Sequence, residues 1–229
     1  MPRQKRIYLP DVACHVIQRG NNRQACFFGQ KDYEFYLECL QDACDKYRCM
    51  VHSYVLMTNH VHLLVTPSDE TSLPRVMQSV GRRYVRWINT IYKRTGTLWE
   101  GRYKASLVDS DKYVLACYRY IELNPVRACM VECPREYRWS SYQNSAGLKS
   151  ELWLEYHPAY LALAESQEQQ AIIYQGLFEE QGISDDWLTR KTIKEQPIGS
   201  DRFKEEVEGM LNIKLNRESI GRPRKEKCL

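Results

Sequence analysis

One short segment, residues 58–66, constrains the fold more than any other part of the sequence. It places His60 and His62 one residue apart, and the intervening and following alternate positions are apolar: Val61, Leu63 and Val65. Successive side chains of a β-strand point to opposite faces, so a strand here carries both imidazoles on one face and the apolar row on the other. The alternation predicts a sheet that buries one face against a hydrophobic core.

The histidine pair also has a chemical meaning. Neutral imidazole is a good ligand for divalent transition metals, and two ring nitrogens leave coordination positions open for substrate. The chain has five histidines in all, so the pairing does not follow from a histidine-rich composition. The pair therefore predicts an open metal site suited to catalysis; the alternative is two ordinary histidines on an exposed strand face.

The composition limits the class of protein. A chain of 229 residues can bury a full core, as one domain with an extension or as two small ones. Its apolar runs are shorter than the ~20 residues of a membrane helix, and the basic N-terminus lacks a following apolar stretch. The nine cysteines form no Cys-x-x-Cys pair, which indicates reduced thiols and speaks against a cysteine-based zinc finger. We expect a cytoplasmic, nucleoid-associated protein without membrane segments.

Charge is strongly segregated along the chain. Residues 71–104 carry eight Lys and Arg against Glu100 alone, whereas residues 151–186 carry eight acids and no Lys or Arg. This separation favours a basic surface that faces a polyanion, with the acidic stretch held elsewhere. A solvated charged face is the alternative.

The periodicity predicts an α+β fold. Turn signals and apolar spacing give strands at 12–18, 50–57, 60–66 and 102–108 and helices at 32–47, 71–94 and 111–124. Thr58 and Asn59 are expected to form the tight turn of a hairpin. The order βαββαβα indicates one antiparallel sheet with helices packed on it. Past about residue 145 the sequence is helical and acidic.

A candidate nucleophile lies in the last of these helices. Tyr120 and Asn124 are four residues apart and therefore on one helix face, just before Pro125. The Asn124 carbonyl oxygen is a plausible third ligand beside the histidine pair, and a phenol next to the metal could attack a phosphate held there. The cation should then favour deprotonation of the phenol. The alternatives are a helix-terminal Asn124 and a structural Tyr120, one of 16 tyrosines.

Three motifs together carry a family resemblance. Residues 59–64 (NHVHLL), 98–104 (LWEGRYK) and 118–128 (YRYIELNPVRA) resemble the single-tyrosine HUH transposases. More narrowly, the chain is similar to the REP-associated tyrosine transposases, which are linked to repetitive extragenic palindromes in bacterial chromosomes. The resemblance covers about residues 5–145, and residues 199–203 and 221–225 resemble the C-terminal extension of that branch.

The resemblance implies a fold and an activity. The expected fold is a ferredoxin-like antiparallel sheet with packed helices at 1–145, a helical acidic extension at 146–215 and a basic tail at 216–229. The implied reaction is cleavage of single-stranded DNA beside a hairpin, dependent on Mg²⁺ or Mn²⁺, through a 5′-phosphotyrosine. His60, His62 and Tyr120 are then catalytic, and His60, His62 and Asn124 hold the metal. Related mobile-element enzymes have Gln at the last position and swap the tyrosine helix within a dimer, whereas the REP-associated branch can work as a monomer. A monomer is therefore expected, and a dimer stays open.

Candidate DNA-binding residues come from the basic segments. Arg82, Arg86, Arg102 and Lys104 suit a basic groove, and Arg19 and Asn21 lie in a glycine-containing loop. Trp99 could stack on a base or anchor its loop in the core. Arg222 and Arg224 flank a proline as in a minor-groove-binding tail, or form a nonspecific basic arm. Two other functions stay open: a non-cleaving nucleic-acid-binding regulator, and a metal-dependent phosphodiesterase that uses water.

Overall fold

A four-stranded antiparallel sheet forms the centre of the protein. The computed structural model describes residues 8–109, 111–179 and 183–211. Its strands are β1 (Cys14–Arg19), β2 (Cys49–Met57), β3 (His60–Pro67) and β4 (Lys104–Leu107), in the spatial order β2-β3-β1-β4. Helix α1 (Gln30–Tyr47) connects β1 to β2, and α2 (Ser72–Ile91) connects β3 to β4. This is the ferredoxin-like arrangement that the family resemblance implies.

The apolar row of β3 determines which face of the sheet α1 and α2 cover. Val61, Leu63 and Val65 are fully buried in one hydrophobic cluster with residues of both helices. Tyr84 of α2 belongs to this cluster, and its hydroxyl donates to the carbonyl oxygen of Cys26 at 2.7 Å. The hairpin is also confirmed, because Met57 pairs with His60 across the turn at Thr58 and Asn59.

The opposite face of the sheet is covered by α3 (Asp111–Glu122) and by helices that follow it. The helices after α3 are α4 (Asn124–Arg127), α5 (Tyr142–Ser145), α6 (Pro158–Leu161), α7 (Gln167–Gly176), α8 (Asp185–Ile193) and α9 (Asp201–Leu211). Of these, α9 packs on the other side of the sheet, because its Val207 belongs to the hydrophobic cluster of α1 and α2. The helix predicted over 111–124 is thus two elements. Pro125 cannot donate a backbone hydrogen bond, so α3 ends before it and a short new helix begins at Asn124.

The C-terminal extension packs into the same core as α3. Tyr160 of α6 and Tyr174 of α7 lie with their rings 6.2 and 5.9 Å from that of Tyr118. The Tyr174 and Ser145 hydroxyls donate to the carboxylate of Glu122. The predicted boundary after residue 145 therefore does not separate two independently packed units. The predicted tail at 216–229 lies outside the described residues.

Within the described ranges, no helix combines the length and the apolar character needed to cross a membrane.

Candidate active site

The histidine pair faces the helical layer that contains α3. The alternate residues of β3 fill the α1–α2 core, so His60 and His62 project to the other side of the sheet, as predicted. His62 is 2% exposed and His60 is half-buried. The alternative of two histidines on an exposed strand face is wrong, because later helices cover this face.

His60 is oriented by the residue that precedes it. Its Nδ1 lies 2.6 Å from Oδ1 of Asn59, and the Asn59 Nδ2 donates to the carbonyl oxygen of Arg23 at 3.0 Å. A carbonyl only accepts, so the second contact fixes the Asn59 amide with its oxygen toward the ring. Nδ1 of His60 is therefore the protonated nitrogen and donates, which leaves the lone pair on Nε2.

His62 is oriented by a histidine that the sequence analysis did not identify. Nδ1 of His62 lies 2.9 Å from Nε2 of His15 on β1, and the two rings stack with centroids 5.1 Å apart. Strand alternation places His15 on the same face as Ile17 and Arg19, and Ile17 pairs with His62. The alternation of β1 was thus the signal in the sequence that could have placed His15 on the face of the histidine pair.

Burial keeps these imidazoles neutral. It lowers the pKa of His15 to about 3, that of His60 to about 4 and that of His62 well below its ordinary value. The nearby Arg127 guanidinium acts in the same direction on all three. A neutral ring retains one nitrogen lone pair, which is the form that binds a metal.

Tyr120 lies directly against the histidines. Its ring centroid is 5.5 Å from that of His62 and 5.4 Å from that of His15. The Thr189 hydroxyl of α8 donates to the carbonyl oxygen of Asp185, so the Tyr120 hydroxyl, 3.0 Å away, donates to Thr189. Tyr120 is only 5% exposed. Burial raises the pKa of its phenol, and the Arg127 guanidinium opposes this rise.

Asn124 lies at the edge of the same pocket. Its Nδ2 donates to the carbonyl oxygens of Tyr120 at 3.0 Å and Ile121 at 3.3 Å. These contacts fix the amide orientation, so Oδ1 is the atom that remains for a ligand. They also agree with the alternative interpretation of Asn124 as a helix-terminal residue, because its side chain caps carbonyl oxygens in the last turn of α3.

Arg127 is a second residue that the sequence analysis missed, although it lies within the 118–128 motif. Its guanidinium carbon lies 4.2 Å from the centre of the Tyr120 ring. Its Nη2 donates to the Tyr120 carbonyl oxygen at 2.7 Å, and its Nη1 pairs with Asp185 at 2.6 Å. A fixed cation therefore borders the phenol of Tyr120.

These groups line one pocket of about 260 Å³, together with residues of α8. The pocket includes His60, His62, Tyr120, Asn124 and Arg127. No group of three or more His, Cys, Asp or Glu in the described parts of the chain could hold a metal ion. The pocket does hold two imidazoles and one side-chain amide, which are donor types that a divalent ion accepts and which would leave coordination positions open.

A basic groove of about 350 Å³ adjoins the pocket, and both are lined by Ile17, Arg19 and Ile193. Its other charged lining residues are Arg23, Glu100, Arg102 and Lys104. The structure thus brings together three of the predicted DNA-binding residues. Lys104 also donates to the carbonyl oxygen of Ile193 at the end of α8, at 2.9 Å.

The other predicted DNA-binding residues are not gathered here. Arg82 and Arg86 are exposed on α2, across the sheet from the pocket, and Asn21 lies in a short 3₁₀ turn (Asn21–Arg23). Arg222 and Arg224 lie outside the described residues. Trp99 is 6% exposed and packs near Tyr36 and Tyr84. Of the two interpretations of Trp99, the structure therefore supports a core anchor for its loop and not a ring that stacks on a base.

Comparison with known proteins identifies the family. Residues 9–124, about half of the chain, match the family model described as "Transposase IS200 like". A REP-associated tyrosine transposase bound to a REP hairpin is similar in structure, with a TM-score of 0.56 and 14% identity. That match covers 69% of this chain and 99% of the other.

A Deinococcus radiodurans protein described as a candidate transposase shows 16% identity over 56% of this chain and 92% of its own. Its TM-score of 0.37 is too low to establish a shared fold. A search of curated proteins gives no match. The match over residues 9–124 includes the histidine pair, Tyr120 and Asn124, and with it the chain belongs to the IS200-like transposase family.

Proposed function

We propose that this transposase cleaves and rejoins single-stranded DNA beside a hairpin, with Tyr120 as the nucleophile and a divalent ion, Mg²⁺ or Mn²⁺, held by His60, His62 and Asn124. One observation carries the proposal. The phenol of Tyr120 and both histidines line the same pocket, and the Tyr120 and His62 rings are 5.5 Å apart.

The reaction is a transesterification. The phenol oxygen of Tyr120 forms a bond to the scissile phosphorus, and the bond from phosphorus to the 3′ oxygen breaks. The phenol loses one proton and the leaving 3′ oxygen gains one, which makes it a free 3′-hydroxyl. The DNA 5′ end is then attached to the protein as a phosphotyrosine. Because one phosphodiester replaces another, the 3′-hydroxyl can reverse the step and reseal the strand.

The surrounding residues divide the remaining tasks. A bound divalent ion supplies Lewis-acid polarisation of the phosphate and neutralises the charge that develops on it. The ion would be bound by Nε2 of His60 and Nε2 of His62, because the Nδ1 atoms of both rings are hydrogen-bonded to other residues. Arg127 holds a positive charge beside the phenol, which partly opposes the rise that burial causes in the pKa of Tyr120.

The basic groove fits the single strand that leads to the pocket. Arg19, Arg102 and Lys104 would contact successive phosphates, and Arg19 lines both cavities. The similar structure is that of a transposase bound to a REP hairpin, which supports REP-like palindromes as the substrate class. The tyrosine and the histidine pair of a single chain lie together, which supports cleavage in cis by a monomer.

The test is covalent capture. The full chain is incubated with a labelled oligonucleotide that carries a REP-like hairpin and a randomised single-stranded tail, with Mg²⁺ or Mn²⁺, and then denatured. We expect a protein–DNA adduct that disappears in Tyr120→Phe, with Tyr113→Phe on the same helix as the matched control. Sequencing the captured DNA would give the cleavage position.

Two outcomes would overturn the proposal. Cleavage without an adduct, retained in Tyr120→Phe, would show a phosphodiesterase in which water is the nucleophile. Hairpin binding without cleavage under either metal would show a regulator that has kept the fold.

A further inference from the structure

A line of buried hydrogen bonds runs from His62 to α8 in the C-terminal extension. Nδ1 of His62 lies 2.9 Å from Nε2 of His15, and Nδ1 of His15 lies 2.8 Å from Oγ1 of Thr192. The Thr192 hydroxyl lies 3.0 Å from the carbonyl oxygen of Leu188. His15, His62 and Thr192 are 0%, 2% and 1% exposed, so these contacts are shielded from bulk water.

The direction of each hydrogen bond follows from the last one. The Leu188 carbonyl only accepts, so the proton of the Thr192 hydroxyl points to it. Oγ1 of Thr192 then accepts from Nδ1 of His15. A neutral His15 carries no second proton, so its Nε2 accepts from Nδ1 of His62. The same sequence of contacts leaves the lone pair of His62 on Nε2.

We infer that His15 and Thr192 are positioning residues, which hold His62 in the Nδ1–H form with Nε2 available to a divalent ion. This inference rests on the proposed metal-assisted function. Partners of this kind fix the tautomer and ring orientation of a ligating histidine and raise its basicity. The tautomers of the two histidines are thus fixed by different contacts: that of His60 by its neighbour Asn59, and that of His62 through His15 by Thr192 of α8.

A packing role alone would have different requirements. The stacking of His15 on His62 and the burial of Thr192 would tolerate a side chain of the same shape without a hydroxyl. Valine has the shape of threonine but cannot accept the His15 proton, whereas serine can. Thr192→Val and Thr192→Ser therefore separate hydrogen bonding from packing.

The chain provides a matched control. Oγ1 of Thr66 lies 2.8 Å from Nε2 of His52 in a buried Thr–His contact of opposite direction, because Nδ1 of His52 donates to a carbonyl oxygen and Nε2 accepts from the Thr66 hydroxyl. Nδ1 of His52 bonds to the carbonyl oxygen of Glu155, so this contact belongs to a different group of residues. Thr66→Val removes a similar hydrogen bond without changing the partners of His62.

The first measurement is the tautomer of His62 in the metal-free full chain, by long-range ¹H–¹⁵N correlation spectra of histidine-labelled protein. The second is Mn²⁺ affinity, by electron paramagnetic resonance of the free ion. We expect Nδ1–H at His62 in the wild type, a mixture of tautomers in Thr192→Val and Mn²⁺ binding weakened about 10- to 100-fold. Thr192→Ser should restore both values, and Thr66→Val should change neither.

Three results would overturn the inference: an Nε2–H tautomer of His62 in the wild type, wild-type Mn²⁺ affinity in Thr192→Val, or an equal loss in Thr192→Ser. If Thr192→Val does not fold, His15→Leu interrupts the same contacts from the other end and must give the same loss. The proposed function fails separately, by absence of a Tyr120 adduct in a wild type that has the expected tautomer and binds Mn²⁺. An adduct in the wild type with unchanged metal affinity in the folded variants refutes the positioning role alone.

Discussion

Replacing Glu122 by glutamine should change how the stability of this protein depends on pH. Glu122 ends the helix that carries Tyr120, and its carboxylate is fully buried. Its oxygens accept hydrogen bonds from the hydroxyls of Ser53, Ser141, Ser145 and Tyr174. The residue thus joins α3 to β2, α5 and α7 in the layer that covers the site.

The magnitude follows from the pKa of this carboxyl. Burial raises the pKa of Glu122 from 4.5 to about 7, although the hydroxyl groups oppose the rise. The folded state therefore holds the proton more tightly than the unfolded state. The stabilisation is complete below pH 4.5 and is lost as the pH rises to about 7. A difference of this size corresponds to about 3 kcal/mol of unfolding free energy.

The assay is urea unfolding of the wild type and of Glu122→Gln across this pH range. Glutamine has the same shape and stays uncharged, and the Tyr174 hydroxyl can accept from its amide nitrogen. We expect the free energy of the wild type, relative to the variant, to fall by about 3 kcal/mol between pH 4.5 and pH 7.

The control is Glu165→Gln, which replaces a carboxylate in an exposed residue. This variant should keep the pH dependence of the wild type. Parallel stability curves for the wild type and Glu122→Gln would refute the reasoning, because they would mean that the hydroxyl cage already holds the charged carboxylate at no cost.

Three further changes test the site and its surroundings. Arg102→Ala should remove about one phosphate contact and so reduce the slope of log affinity against log salt concentration by about one, measured by fluorescence anisotropy with single-stranded DNA. Arg82→Ala, on the far side of the sheet, should leave this slope unchanged. Gly20→Ala should destabilise the protein by about 1–3 kcal/mol in thermal unfolding, because its Cβ would lie 2.2 Å from the carbonyl oxygen of Gln24. Arg127→Ala should slow adduct formation roughly 100-fold in single-turnover assays, since the phenol loses its adjacent cation; an unchanged rate would exclude a role in the reaction.

The sheet could be predicted because its signals are local. In β3 each alternate residue is apolar, and a two-residue turn at Thr58 and Asn59 fixes the pairing of β2 with β3 beside it, so the buried face and the hairpin follow from the sequence. The register shift between Val51 and Ser53 does not. The same parity on β1 contains His15, but parity gives only the face. It does not show that Nε2 of His15 meets His62 rather than the side chain of a helix.

The ends of the helices and the partners of the charged residues could not be predicted from hydrophobic periodicity and composition. The pattern continues through Asn124, yet α3 ends at Glu122 because Pro125, in the first turn of α4, has no backbone N–H with which to continue the hydrogen bonding of α3. The basic segment 71–104 predicted a polyanion-binding surface, but Arg83 pairs with Asp42 and Glu38 of α1. Composition cannot distinguish a cation that is neutralised by a neighbouring helix from one that faces a groove.

The contribution of α8 could not be predicted, and it changes the meaning of the extension. Its acidic sequence suggested a surface held away from DNA, but α8 meets the site through specific contacts: Asp185 with Arg127, Thr189 with Tyr120, and Thr192 with His15. Each pairs a side chain of ordinary type with a partner more than 50 positions away, which no local pattern encodes. Because α6 and α7 also fill the core beneath α3, a truncation near residue 150 would remove packing together with charge. Point variants on α8 are therefore the way to separate what the extension does for the site from what it does for the fold.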